Sequence, residues 1–308
     1  MLQVARLAPK VLGDDAVPLV ANFLRSQQNE DGGFQDRKGK SDLYYTVFGL
    51  DALTALRQSF DVDRVRAYAA SFGDGVGLDF VHLCALARCW AAVERRFPNR
   101  PGASGGEHAG LEIGAPPATE IVQRIATFRA CDGGFNPKLE SQRGTAYGAF
   151  LGLAAYQDLG VPLPHPMELV RSLKFLETED GAWTNEVFGR GQMPVGATNA
   201  TAAVVTVLRN LGMPLNAAVG DWLLAQAHPQ GGFLAVPGAP IPDLLSTATA
   251  LHALGGLGVS FERVKEPCLD FVDSLWTNEG AFHGNWADEH LDSEYTCYGL
   301  LALGHLSL

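Results

Sequence analysis

Three bases, Arg37, Lys38 and Lys40, crowd together in a chain that is otherwise acidic, with 23 Lys and Arg against 34 Asp and Glu. They stand between the turn Gly32-Gly33-Phe34 and an apolar stretch that begins at Leu43. A phosphate held there would gain roughly 1.5–3 kcal/mol from each charge-assisted hydrogen bond. A helix N-terminus aimed at the same point would add roughly 0.3–1 kcal/mol. The competing reading is a solvated loop whose own Asp36 and Asp42 neutralise the bases. His82 lies in Leu78-Asp79-Phe80-Val81-His82-Leu83-Cys84, where a His is ordinarily a satisfied core residue. Paired with Asp42 across neighbouring helices, it becomes a candidate acid, base or metal ligand. The cysteines at 84, 89, 131, 268 and 297 show no Cys-x-x-Cys spacing and read as buried fillers. His252, His283 and His290 match no constellation.

The elements that must position these residues are legible from a recurring turn. Asp31-Gly32-Gly33-Phe34 returns as Asp132-Gly133-Gly134-Phe135, Asp180-Gly181-Ala182-Trp183, Gln230-Gly231-Gly232-Phe233 and Glu279-Gly280-Ala281-Phe282. The spacing is about fifty residues with one double interval, which places a decayed copy near Asp74-Gly75-Val76-Gly77 and gives six units. Before each turn runs an amphipathic stretch such as Met167 to Leu176; after it comes one apolar around most of its circumference. Alternating one-sided and all-round helices predict two concentric layers. The expected inner helices are 44–56, 80–95, 145–157, 199–211, 246–257 and 294–305. The last unit stays apolar through Leu300, Leu301, Leu303, Leu306 and Leu308, where an open array would need a polar cap. The reading is therefore all-α: one closed α/α barrel, a toroid of six helix pairs over residues 1–308. The glycines should allow positive φ and close helix approach, and the aromatic after them should plug the neighbouring outer helix. Residues 98–117, rich in Gly, Pro and Ala, read as a flexible loop insertion.

Composition narrows the classes. A net charge of −11 argues against nucleic-acid binding, and no apolar run reaches the length of a membrane span. Pro9, Asp14 and Asp15 interrupt the region where a signal peptide needs an apolar core. Five unpaired cysteines fit a reducing, cytoplasmic compartment.

The segments "QQNEDGGFQDRKGKSDLYYTVFGL" and "DSEYTCYGLLALGHL" resemble the repeats of the terpenoid cyclase and protein prenyltransferase β-subunit superfamily. That resemblance implies an α/α barrel whose apolar centre holds an isoprenoid, and a partner α-type subunit. The Asp-x-Asp-Asp acid motif of the squalene-type cyclases is missing; Asp61-Val62-Asp63 on an outer helix is the nearest approach. In collinear register the prenyltransferase zinc site is also incomplete. Asp243 is kept, Leu245 replaces the Cys and Tyr295 replaces the His, while Leu234 to Pro242 contains no base. A closed ring has no unique first repeat, and in a shifted register five types return. Arg37 and Lys40 match the diphosphate-binding bases, Asp42 the ligand Asp, Tyr45 the Tyr and His82 the zinc His. Tyr44 stands where that site has its Cys, Asp292 replaces a diphosphate-binding His and Leu245 an Arg. Zinc would find Asp42 and His82 as ligands and Tyr44 as a poor third.

The resemblance thus implies a transferase-like enzyme. Asp42, His82 and Tyr44 would stand at the reacting end, and Arg37, Lys40, Tyr45, Tyr295 and Asp292 would hold substrate. Tyr44, Tyr45 and Tyr295 could turn π faces to an allylic cation, or simply fill core. A non-catalytic isoprenoid or lipid carrier or scaffold is the alternative. A carbohydrate-active barrel would need two carboxylates in an aromatic cleft, and no pair stands out in the sequence.

Overall fold

The structure, a computed structural model, describes residues 1–13, 15–95, 117–187 and 194–308. Of the expected loop at 98–117, all but Pro117 lies outside the described residues. Two short helices, α1 (Leu2–Ala5) and α2 (Pro9–Leu12), precede the repeats. Pairs of an outer and an inner helix then follow in chain order. These are α3 (Ala16–Ser26) with α4 (Leu43–Ala55), α5 (Val62–Ala70) with α6 (Phe80–Arg95), and α7 (Ala118–Ala126) with α8 (Ala146–Asp158). The remaining pairs are α9 (Pro166–Leu173) with α10 (Thr198–Asn210), α11 (Ala218–Ala225) with α12 (Leu244–Leu257), and α13 (Glu262–Ser274) with α14 (Ser293–Leu306).

Each inner helix packs on the next, and α14 packs back on α4, so the ring closes. The expected inner helices match these bounds to within two residues. Neighbouring inner helices touch start to start. The first N–H groups of α8, α10 and α12 (Ala146, Thr198 and Leu244) donate to carbonyls of Asn185, Ala235 and Gly284 in the following unit's turn, at 2.9, 2.9 and 2.8 Å. All six inner helices therefore run parallel, and their N-termini share one mouth of the barrel. The sequence pattern demands this, because every inner helix enters from an equivalent turn.

The turns are built alike. Asp31 Oδ1 accepts the Gly33 N–H at 2.9 Å, and Asp132 Oδ1 accepts that of Gly134 at 3.0 Å. Gly32, Gly133, Gly231 and Gly280 have φ of 95, 87, 93 and 86°, and a Cβ on any of them would overlap the next outer helix. For Gly280 that helix is α3, so the outer layer closes as well. The aromatics after the glycines seat on inner helices. Phe34, Phe135 and Phe282 lie flat on Gly49, Gly152 and Gly299 of their own inner helices, where no side chain competes for the space. Phe34, Trp183 and Phe233 each donate a backbone N–H to an inner-helix Thr hydroxyl: Thr46, Thr201 and Thr247. That bond explains threonines inside otherwise apolar helices. In the first unit the chain also forms a small hairpin, β1 (Phe34–Gln35) with β2 (Ser41–Asp42), which carries the basic loop.

Candidate functional site

Aspartates cap four of the six inner helices at the N-terminal mouth. Asp42 accepts backbone N–H groups of Tyr44 and Tyr45, Asp243 that of Ser246, and Asp292 that of Tyr295. Each cap satisfies donors that a helix start leaves open. Asp42 also turns its second oxygen to His82, with Oδ2 3.0 Å from Nε2. The other ring nitrogen, Nδ1, lies 2.8 Å from Asp79 Oδ1, the cap of α6. Asp42 and His82 are thus brought together across α4 and α6. The Asp42 bond, helped by Asp79 and opposed by burial, pushes the His82 pKa up to about 9. Burial alone would raise the Asp42 carboxyl, but His82 and the two backbone N–H groups hold it below its ordinary value. At neutral pH the pair is an imidazolium and a carboxylate.

Arg37 lies elsewhere than the basic loop alone would suggest. Its Nε donates to Asp292 Oδ2 and its Nη2 to Asp288 Oδ2, both at 2.9 Å. Its guanidinium carbon sits 5.5 Å from the Tyr295 ring centroid. Burial disfavours the Arg37 charge, and the two carboxylates outweigh that. The neutralising acids come from the sixth unit; Asp36 instead accepts the backbone N–H groups of Lys38 and Lys40. Lys40 is exposed, and among the described residues its side chain makes no ion pair with a carboxylate. Tyr45 and Tyr295 stand beside Arg37.

Tyr44 turns inward. Its hydroxyl donates to Glu294 Oε1 at 2.6 Å, across α4 and α14. Burial pushes Glu294 up to about 7, although the Tyr44 bond works against that shift. Burial, then Tyr298 and Glu294, hold the Tyr44 hydroxyl far above its usual range. The Tyr44 ring packs edge-on against Phe48, which packs on Tyr298. Below them lies a cavity of about 80 Å³ lined by Tyr44, Phe48, Tyr147, Phe150, Tyr298 and Leu301 among others. A neighbouring space of about 310 Å³ shares Tyr44, Tyr147, Phe150 and Tyr298. The larger of the two reaches the lower end of the roughly 300–1,000 Å³ common for small-molecule sites, and the wall they share is aromatic.

At the opposite end the cavity meets an open cleft of about 720 Å³ with a different lining: Asp51, Arg88, Asp158, Arg209, Asn210 and His252. Arg88 is paired with Asp51 at 2.5 Å. His252 Nδ1 lies 3.0 Å from His305 Nε2. Burial lowers these two rings to about 3 and about 4, so both are neutral.

Zinc has no adequate donor set here. Among the described residues no group of three His, Cys, Asp or Glu could hold a metal ion. Asp42 and His82 bond each other, Tyr44 is spent on Glu294, and Leu245 offers no donor atom. The expectation of buried cysteines holds for Cys84, Cys89 and Cys268; Cys297 faces the cavity and Cys131 is exposed. Glu294, Asp288, Arg88, Arg209 and His305 escaped the sequence reading. For Arg209, Glu294 and His305 a signal was available: α10 and α14 carry only one or two Asp, Glu, His, Lys or Arg residues in otherwise neutral runs.

The prenyltransferase alpha-alpha toroid domain model matches residues 15–82 and 199–306. No curated protein matches the chain by sequence. Among solved structures, the Candida albicans protein geranylgeranyltransferase-I complexed with GGPP is similar at 11% identity and TM-score 0.65, over 94% of this chain and 90% of that one. The type II terpene cyclase MstE from Scytonema is 14% identical at TM-score 0.56, over 100% and 98%. A polysaccharide lyase is 12% identical at TM-score 0.61, over 97% of each chain. At such identities these likenesses concern the fold alone; with the sequence model covering more than half its length, the chain belongs to the prenyltransferase alpha-alpha toroid family.

Proposed function

We propose that the protein takes an isoprenoid chain into its central cavity and acts on it with the Tyr44–Glu294 pair at the N-terminal end. The observation that carries this reading is the aromatic wall of Tyr44, Tyr147, Phe150 and Tyr298 shared by two adjoining, mainly apolar spaces of about 80 and 310 Å³. Such walls suit a chain without polar groups, and π faces stabilise cationic character in an alkene or allyl group. A carboxyl group held near neutrality is suited to move a proton, and Tyr44 extends its reach into the cavity. Zinc-activated thiol transfer gains no support, because the donor atoms it needs are absent or engaged.

A non-catalytic carrier is the second reading, favoured by one observation. Arg37, the strongest base expected at a diphosphate, is already held by Asp288 and Asp292. Calorimetry with farnesol and geranylgeraniol tests the binding common to both readings, and a Phe48→Trp variant that fills the cavity should weaken it about ten-fold or more. Incubation of the same ligands with the parent and Glu294→Gln proteins separates the two. Products formed only by the parent support the enzyme; unchanged ligand with both supports the carrier. No binding of either alcohol would end both readings.

A further inference from the structure

The second halves of the inner helices carry Asp51, Arg88, Asp158, Arg209, His252 and His305, with Glu94 and Arg95 following at the end of α6. The buried members of this set need partners, since burying a charge costs stability unless it is paired, whereas Arg209 is exposed. Asp51, Arg88, Asp158, Arg209 and His252 line one cleft, which is continuous with the aromatic cavity through Phe150, Ala154 and Asp158. His305 completes the set through its bond to His252.

Within that cleft the charges are unequal in their commitments. Arg88 is held by Asp51. Arg209 has no carboxylate within ion-pairing distance among the described residues. Its guanidinium lies across Gly256 of α12, and a Cβ there would overlap Nη1, Nε and Cζ. The glycine is thus the seat that lets Arg209 lie across α12 at the edge of the cleft. A position in the last turn of α10 suits a cation by helix polarity, yet among the described residues the Arg209 side chain donates to no carbonyl of that turn. The opposite mouth is a poor host for an anion. Asp42, Asp243, Asp288, Asp292 and Glu294 gather there, and Arg37 is spent on two of them.

We infer that the cleft at the C-terminal ends of the inner helices receives the anionic head group, a phosphate or a carboxylate, of the isoprenoid whose tail fills the cavity, with Arg209 as its main contact. This deepens the proposed function and rests on it. The ligand then enters head-outward at the end opposite the basic loop of Arg37, Lys38 and Lys40. Its far end points toward Tyr44 and Glu294.

The test is calorimetry of the full chain with farnesol, farnesoic acid and farnesyl phosphate. Four proteins are compared: the parent, Arg209→Gln, Gly256→Ala and Lys40→Ala. The parent should bind both anions about ten-fold or more tightly than the alcohol. Arg209→Gln should erase most of that preference while binding farnesol as the parent does, because Arg209 is exposed and fills no core. Gly256→Ala should weaken the preference by unseating the guanidinium, and Lys40→Ala should leave it intact. The preference for phosphate over carboxylate in the parent identifies the head group. An anion preference that survives in Arg209→Gln, or disappears in Lys40→Ala, overturns the inference. So does farnesol binding with no anion preference, which would leave the cavity reading standing. Absence of binding by all three ligands removes both.

Discussion

The imidazolium of His82 between two carboxylates gives the mouth a pH dependence whose sign is fixed by the shifts. His82 is raised from its ordinary 6.5 to about 9, so its stabilising effect is complete below the unfolded value and fades as pH climbs through about 9. Asp42 is lowered, so its share is complete above its ordinary 3.8 and is lost as pH falls below that. The pair is therefore worth most between these limits. Because about a third of the His82 side chain is exposed, the gain is about 1 kcal/mol or less. His82→Gln should be less stable than the parent by that amount at pH 6, and the gap should close by pH 10. Urea melts at the two pH values check this; an equal gap at both would mean that His82 acts by packing. The buried histidines behave in the opposite sense. His252 and His305, lowered by burial, favour folding above pH 6.5 and lose that contribution progressively as pH falls toward about 3 to 4.

Among the elements, the aromatic-on-glycine contact is the device that lets a turn lie down on its own inner helix. It was half legible. The Gly-Gly-Phe recurrence announced that something close-packed stood there, but the glycine it needs sits fifteen or more residues downstream inside a helix. Gly49 and Gly299 look like ordinary small residues in runs rich in them. The same distance hid the Thr46, Thr201 and Thr247 hydroxyls that receive the turn N–H groups. Helix bounds were far easier, since an all-round apolar stretch begins just after the turn, in four of six cases at a capping Asp, and ends at a polar turn. The contact also makes a quantitative demand. Gly→Ala in a helix interior ordinarily stabilises by about 1 kcal/mol. At Gly49 the added Cβ would overlap the Phe34 ring, and overpacking typically costs about 1–3 kcal/mol. Gly49→Ala should therefore destabilise, and Phe34→Leu in the same chain should recover part of the loss. Chemical denaturation of the two single variants and the double variant gives the coupling; strict additivity would sink this account.

On the scale of the whole molecule, closure was legible and the location of charge was not. An uncapped apolar last unit predicted a ring, and α14 does pack on α4. Periodicity says which face of a helix is buried, but nothing about which end of a parallel ring a lone Arg or Asp will occupy. That required the common direction of all six inner helices. The seam where the ring closes has a temporal consequence. Tyr44 and Glu294 are 250 residues apart in sequence, Arg37 and Asp292 are 255, and both bonds cross the seam. Contacts so remote are entropically the last to form, whereas those between consecutive units can form early. Gly280→Ala, which intrudes on α3 at the seam, should thus hasten unfolding and leave the folding rate within about two-fold, as expected of interactions absent from the transition state. Stopped-flow measurements decide it, and an equal slowing of folding would place the seam in the nucleus. The Tyr44–Glu294 pair, proposed above to handle a proton, is then also the clasp of the ring. A nascent chain would acquire its active geometry only at the final docking step, and a ligand seated between Tyr44 and Tyr298 would lengthen the lifetime of the closed form by holding first and last units together.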